Sequence, residues 1–228
     1  CAVCHADGRT ADVADVHPGL QTYEDVIASI DGVAIDVDDM AQTAVLTVDF
    51  TVTDPDGSPI PGLGAESMTR PGRFAYLRFA LAELMPPVDG SGDPDTWVSY
   101  TTGDRDPANL TDNGDGTYSY VFGTDLYTLY MPSLRHRLLL MVFGDIVEQA
   151  LNVTYDFVPE QLPGPFTFDL SRDIVATTSC NECHGRLGSQ LGDASFHGGS
   201  RYTVEGCATC HVSTLGDGFA EITPLIHG

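Results

Sequence analysis

Three short strings, "CAVCH" at residues 1–5, "CNECH" at 180–184 and "CATCH" at 207–211, contain every cysteine of this chain. Whatever these units hold constrains the fold more than any other feature. Two thiols three positions apart, followed at once by an imidazole, are the attachment signature of haem c: the sulfurs add to the vinyl groups and the histidine becomes the proximal iron ligand. The pattern predicts three covalently attached haem c groups, on Cys1 and Cys4, on Cys180 and Cys183, and on Cys207 and Cys210. His5, His184 and His211 are the predicted proximal ligands.

Other uses of paired cysteines fit less well. A zinc site built from the last four would separate its inner cysteines by 23 residues, against a usual gap of roughly 15 to 20. It would also leave Cys1 and Cys4 unexplained, along with the histidine after each pair. A disulfide framework needs no histidines, and a thioredoxin-type dithiol wants one motif in a βαβ context, which the sequence does not show.

Four histidines remain for the distal faces of the irons: His17, His136, His197 and His227. His17 in "ADVHPG" and His197 in "SFHGG" lie in Gly/Pro-rich loops, 12 and 13 positions after a proximal histidine. Such loops bring an imidazole close to a flat ring without a bulky neighbour in the way. His227, next to the end of the sequence given, would be held by a ligand bond where a terminus otherwise frays. His17, His197 and His227 are therefore the expected distal ligands. His136, between two arginines at the head of an apolar run, is expected to be a surface or strand-end residue. Imidazole on both faces leaves the iron no open position, which suits electron transfer rather than substrate binding.

The middle of the chain reads as β structure. In "AVLTVDFTVTD" the residues Leu46, Val48, Phe50 and Val52 alternate with Thr47, Asp49, Thr51 and Thr53, the period of a half-buried strand. About seven such runs between residues 23 and 158, divided by turns such as "DPDGSPIPG" and "DNGDG", predict an Ig-like antiparallel β-sandwich. The expected organisation is a haem segment at 1–22, the sandwich at 23–158, a linker at 159–179 and a two-haem segment at 180–228. "TDNGDGTY" is expected to be a hairpin turn rather than a calcium loop, because it has no acidic residue at either end of the ligand pattern.

Charge narrows the partners. Thirty-three acidic residues against ten arginines and no lysine give a formal charge of -23, which repels nucleic acid and anionic membrane surfaces. The longest strongly apolar run, "LLLMVFG", is far too short to span a bilayer. Haem is attached to cysteine outside the cytoplasm, so the chain is expected to be extracellular or on the cell surface, its signal peptide already removed. Cys1 is expected to carry haem rather than a lipid, since one sulfur does not do both.

The wording of the chain from about Val98 onward resembles the OmcA/MtrC family of outer-surface decahaem cytochromes. The stretches that carry the likeness are "DNGDGTYSYVF", "LRHRLLL", "DFVP", "RDIVATTSCNECHGRLG", "FHGGSRYTVEGCATCH" and "ITPLIHG". The resemblance implies an Ig-like domain followed by a multihaem segment, bis-histidine haems, an upstream cytochrome donor, and extracellular acceptors such as metal oxides or flavins. It places Cys180, Cys183, Cys207 and Cys210 at haem anchors, His184 and His211 at proximal ligands, and His197 and His227 at distal ones. Three haem motifs in place of ten, one of them ahead of the β domain, are departures from that pattern. An odd number of antiparallel strands puts the two ends of the sandwich on opposite sides, which separates the first haem from the other two. Docking the first haem of one copy beside the haem pair of the next would close the gap, giving a head-to-tail homopolymer, a filament. The linker, spanning roughly 65 Å when extended, is equally able to bring the pair back within one molecule. A monomeric reductase with one open haem face is the alternative.

Overall fold

In the computed structural model, residues 22–87, 95–168, 176–187 and 196–212 are described. The N-terminal motif, His17 and His227 lie outside them. Eight strands form two four-stranded antiparallel sheets: β1 (Ile27–Asp38), β2 (Thr43–Thr53), β3 (Leu77–Met85), β4 (Thr96–Asp104), β5 (Leu110–Asp112), β6 (Thr117–Val121), β7 (His136–Val142) and β8 (Leu151–Phe157). One sheet has the order β1-β2-β6-β5 and the other β4-β3-β7-β8. The expected mainly β sandwich is present, with eight strands where the sequence pattern predicts about seven. The additional one, β5, is three residues long and pairs with β6 through Leu110–Tyr120, Thr111–Ser119 and Asp112–Tyr118. It is too short for alternation to reveal it.

The "DNGDG" stretch is the β5–β6 hairpin turn. Asp112 Oδ1 accepts from Gly114 N at 2.8 Å, and Asp115 Oδ1 from Thr117 N at 3.0 Å, so its carboxylates close backbone turns.

Period-two patterning decides which face of each strand is buried. On β2, Ala44, Leu46, Val48, Phe50 and Val52 are fully buried. They meet Leu77, Phe79 and Leu81 of β3 and Leu138, Leu140 and Val142 of β7 across the space between the sheets. Rings fill its middle: Phe50 stacks on Tyr118 at 5.2 Å, and Phe79 on Tyr120 at 4.3 Å. Such offset pairs add about 0.5–1.5 kcal/mol beyond the area they bury.

β7 is buried along its whole length, which explains the unbroken apolar run in its sequence. Leu138, Leu140 and Val142 face the central core, whereas Leu139 and Met141 point outward and are covered by the C-terminal segment.

His136 corrects the sequence-based expectation of a surface residue. It stands at the end of β7, as expected, but is completely buried. Its Nδ1 lies 2.9 Å from Leu134 O, and its Nε2 lies 3.1 Å from Tyr100 Oη and 3.4 Å from Glu83 Oε2. Burial brings its pKa down to about 4, so the ring is neutral at physiological pH. Its Tyr100 and Glu83 partners belong to two other strands, β4 and β3, which is why its local context pointed the wrong way.

At one end of the sandwich the two termini of the fold come close together. Thr22 Oγ1 donates to Asp145 O at 2.7 Å, and Tyr23 N to Ile146 O at 2.9 Å, while Glu148 N donates to Tyr23 O at 2.9 Å. The chain therefore enters beside the start of β8, and β8 leaves toward the other end. After β8 it doubles back. Arg186 Nη2 reaches Ala150 O at 3.3 Å, and Asn152 holds Ser200 O at 2.9 Å and Tyr202 N at 3.0 Å. The C-terminal segment thus meets the sandwich within a few residues of the place where residues 22 and 23 are bound. No helix among the described residues is long and apolar enough to cross a membrane.

Candidate cofactor site

Both C-terminal motifs sit on short helices, α1 (Thr177–His184) and α2 (Val204–Cys210). On a helix, positions i, i+3 and i+4 share one face, so Cys180 and Cys183 line up along α1. In the same way Cys207 and Cys210 line up along α2, with His211 just past its end. Neither helix has the length or the apolar stripe to be stable alone, and each is fixed by caps and by its neighbour. Thr203 Oγ1 accepts from Gly206 N at 3.1 Å at the start of α2. Thr177 Oγ1 accepts from Val204 N at 3.0 Å, tying the two helix starts together. Asn181 Oδ1 accepts from Leu187 N at 2.5 Å beyond α1, where Gly185 takes a positive φ of 68°.

α2 lies on the outward face of the β4-β3-β7-β8 sheet. Cys210 packs with Ala80, Leu139 and Met141, flanked by Phe143. Gly206 leaves room for the cap: a Cβ there would stand 2.8 Å from Thr203 Oγ1, while at 3.5 Å it would make only ordinary contact with Leu139. Burial raises the Cys207 thiol to about 11 and also raises Cys210, the latter held back by the charges of Arg78 and Arg201. Among the described residues none of the four cysteines is in a disulfide. Nor do they converge with other donors into a metal cage of three or more ligands, the geometry a zinc site requires.

The histidines give the more specific geometry. His197 opens a left-handed run, with φ of 51° at His197, 66° at Gly198 and 74° at Gly199. A side chain is rarely tolerated at such angles, and the two glycines meet them without strain. The turn brings the His197 ring to 5.8 Å from that of His211, with 39° between the planes. Two imidazoles on opposite sides of one metal ion, each bonded through a nitrogen at about 2 Å, hold their centres about 6 Å apart. Burial, then the nearby Arg201 guanidinium, lowers the His197 pKa, and a metal binds the neutral form of an imidazole. The residues present therefore fit a haem c with its thioether bonds at Cys207 and Cys210.

Of the sequence-predicted ligands, the structure brings together Cys207, Cys210, His197 and His211. Cys180 and Cys183 lie on α1, half-buried and exposed respectively. Cys1, Cys4, His5, His17 and His227 fall outside the described residues. Sequence reasoning did not single out Asn152, which clips the segment to the sheet, nor Arg78 and Arg201, which act on Cys210. No local pattern marks them, because sheet pairing alone makes them neighbours of the site.

Comparison with known proteins agrees with this arrangement. Residues 172–224 match the family described as outer membrane cytochrome MtrC/MtrF-like, domains II/IV. The multiheme cytochrome MtrC of Shewanella baltica (strain OS185) is 30% identical over 198 residues, covering 80% of this chain and 28% of that protein. The crystal structure of the outer membrane decaheme cytochrome OmcA superposes with a TM-score of 0.60 at 22% identity, covering 85% of this chain and 30% of that one. This chain spans under a third of the length of either relative. The haem-motif wording, the sandwich with a motif-bearing segment laid on its outer face, and these matches support membership of the OmcA/MtrC family.

Proposed function

We propose that this chain is an extracellular electron carrier with three covalently attached haem c groups, each held between two histidines. The observation that carries the reading is the approach of the His197 and His211 rings, with Cys210 next to His211 in sequence and Cys207 one helical turn before it. A haem so held exchanges single electrons without opening a coordination position. In this reading His211 is the proximal and His197 the distal ligand of the third haem, and His5 and His184 are proximal ligands of the other two. His17 and His227 supply the remaining distal positions. Electrons arrive from an upstream cytochrome and leave to extracellular acceptors such as metal oxides or flavins. The similarity to outer membrane cytochromes supports that location, as does attachment chemistry that takes place outside the cytoplasm.

The return of residues 186 and 200–202 to the place where the chain enters supports a compact conductor. His17 is five residues from Thr22, a span of at most about 17 Å, so the first haem is within reach of the pair in the same molecule. The head-to-tail homopolymer stands second. Its ground was a wide gap inside one chain, and it gains support if electron micrographs of concentrated protein show filaments rather than discrete particles.

The ferrous spectrum tests the main reading. Intact mass is expected to exceed the polypeptide by three haems, and carbon monoxide to leave the spectrum unchanged. A carbon monoxide adduct would reveal a five-coordinate iron and move the chain to the reductase reading. A mass equal to the bare polypeptide would end the electron-carrier reading.

A further inference from the structure

Positive charge is scarce in this chain, with ten arginines and no lysine against 33 acidic residues, so where the arginines gather is informative. Arg135 and Arg137 share Asp156, and Arg186 lies over the Tyr202 ring at 4.2 Å. Arg70, Arg73, Arg78, Arg105 and Arg201 collect elsewhere, and none of these five pairs with a carboxylate among the described residues.

Backbone pairing gathers Arg70, Arg73, Arg78 and Arg105, and the C-terminal segment laid on the same sheet adds Arg201. Arg78 is on the outward face of β3, in register with Met141, and Met141 packs with Cys210. Its Nε donates to Thr102 O at 2.8 Å, which lays the guanidinium over β4. A Cβ on Gly103 would stand 2.6 Å from that nitrogen, so the missing side chain there makes the room. Arg105 O accepts from Phe74 N at 2.9 Å, beside Arg73, and the Ser67 turn folds Arg70 back toward Arg73. Arg201 stands between Ser200 and Tyr202, both held by Asn152. Arg78, Arg105 and Arg201 are half-buried, while Arg70 and Arg73 are exposed. Burial and mutual repulsion lower the pKa of the three half-buried groups, the mark of like charges held together without a counter-ion.

We propose that Arg78, Arg105 and Arg201, with Arg70 and Arg73 at the mouth, form a binding site for a carboxylate or phosphate oxyanion beside the Cys207–His211 haem anchor. The planar guanidinium fork matches such a group through two parallel hydrogen bonds. On a surface of net charge -23, a basic pocket concentrates anions at one point. Two sources carry this chemistry: a propionate of a haem held by the chain, or an oxyanion group of a soluble electron acceptor. The inference rests on the electron-carrier reading for its role, though not for the existence of the site.

The test uses the haem-loaded full chain, with inorganic phosphate as the probe at constant ionic strength. Wild type is compared with Arg78→Gln and Arg73→Gln, and with Arg78→Lys, which retains the charge. Loss of positive charge beside one haem is expected to lower the midpoint potential of that haem in Arg78→Gln, with Arg78→Lys restoring it. If the source is a propionate, that shift appears and phosphate changes nothing in wild type. If the source is a soluble acceptor, phosphate shifts the wild-type potential, and its binding weakens about tenfold or more in Arg78→Gln. The more exposed Arg73→Gln then gives a smaller loss. Potentials and phosphate response equal to wild type in every variant overturn the proposal. A wild-type chain that carries no haem sinks the electron-carrier reading alone. Calorimetric titration with phosphate then tests the site directly, and absence of binding overturns it.

Discussion

The sandwich and the C-terminal segment are built on opposite plans. The sandwich has its own core, in which Phe50, Phe79, Tyr118, Tyr120, Leu81 and Leu138 are all buried between two sheets. The segment contributes Cys210 to a small cluster whose other members, Ala80, Leu139 and Met141, belong to the sheet. Its α1 and α2 are eight and seven residues long, below what an isolated helix needs in water. One region is specified by its side chains, whereas the other borrows a surface and waits for a large apolar group to complete it.

The largest expected effects separate the two regions. Phe79→Ala removes a ring that stacks at 4.3 Å on Tyr120 and packs edge-on against Phe50, and is expected to cost about 3–5 kcal/mol, unfolding both regions together. A chain with Cys207 and Cys210 both changed to Ser, and so unable to anchor haem there, is expected to keep the sandwich melting transition. Its C-terminal segment should become the first site of limited proteolysis, by analogy with small domains that fold only around a metal. A sandwich transition that falls as far in the serine variant as in Phe79→Ala would break the comparison, since the segment would then be part of one cooperative unit.

The same division governs what was legible in the sequence. Alternation in "AVLTVDFTVTD" gave β2 and its buried face, because a half-buried strand writes its period directly. β5 at Leu110–Asp112 left no trace, since three residues hold no period. The Cys-x-x-Cys-His strings were legible because their residues are consecutive, and the structure sets two of them on short helices. Pairing of His197 with His211 was not legible, for it depends on a left-handed turn and on where α2 lands on the sheet. His136 was misread for a related reason: its burial is decided by Glu83, Tyr100 and Phe157, which the fold brings from 21 to 53 positions away.

His136 also sharpens the comparison through pH. Its folded-state pKa lies near 4, against an ordinary histidine value of 6.5. The unfolded chain therefore takes up a proton that the folded chain refuses, and stability falls as pH drops from about 6.5 toward 4. For this ring alone the loss is on the order of 3 kcal/mol. Glu83 works the other way: burial raises its pKa, so the folded state binds a proton more readily as the pH approaches the carboxylate range. Tyr100 and Tyr130, both raised by burial, stay neutral throughout. Melts at pH 7 and pH 5 are expected to show the sandwich losing stability at the lower value, with a smaller difference in His136→Gln. Equal pH slopes in the two proteins would remove His136 as the cause.

The smallest expected effect lies at the seam between the regions. Asn152 sits on β8 and spans the gap with one donor and one acceptor, to Ser200 O and from Tyr202 N. Because this pair holds the segment to the sheet without entering the core, Asn152→Ala is expected to cost about 1 kcal/mol of local stability while leaving the sandwich transition in place. Hydrogen exchange should show faster opening at residues 200–204 and unchanged protection in β3 and β7, since regions of one protein open with separate free energies. If protection falls equally across β7 and β8, the clip is part of the scaffold itself, and the borrowed surface under α2 depends on the segment as much as the segment depends on it.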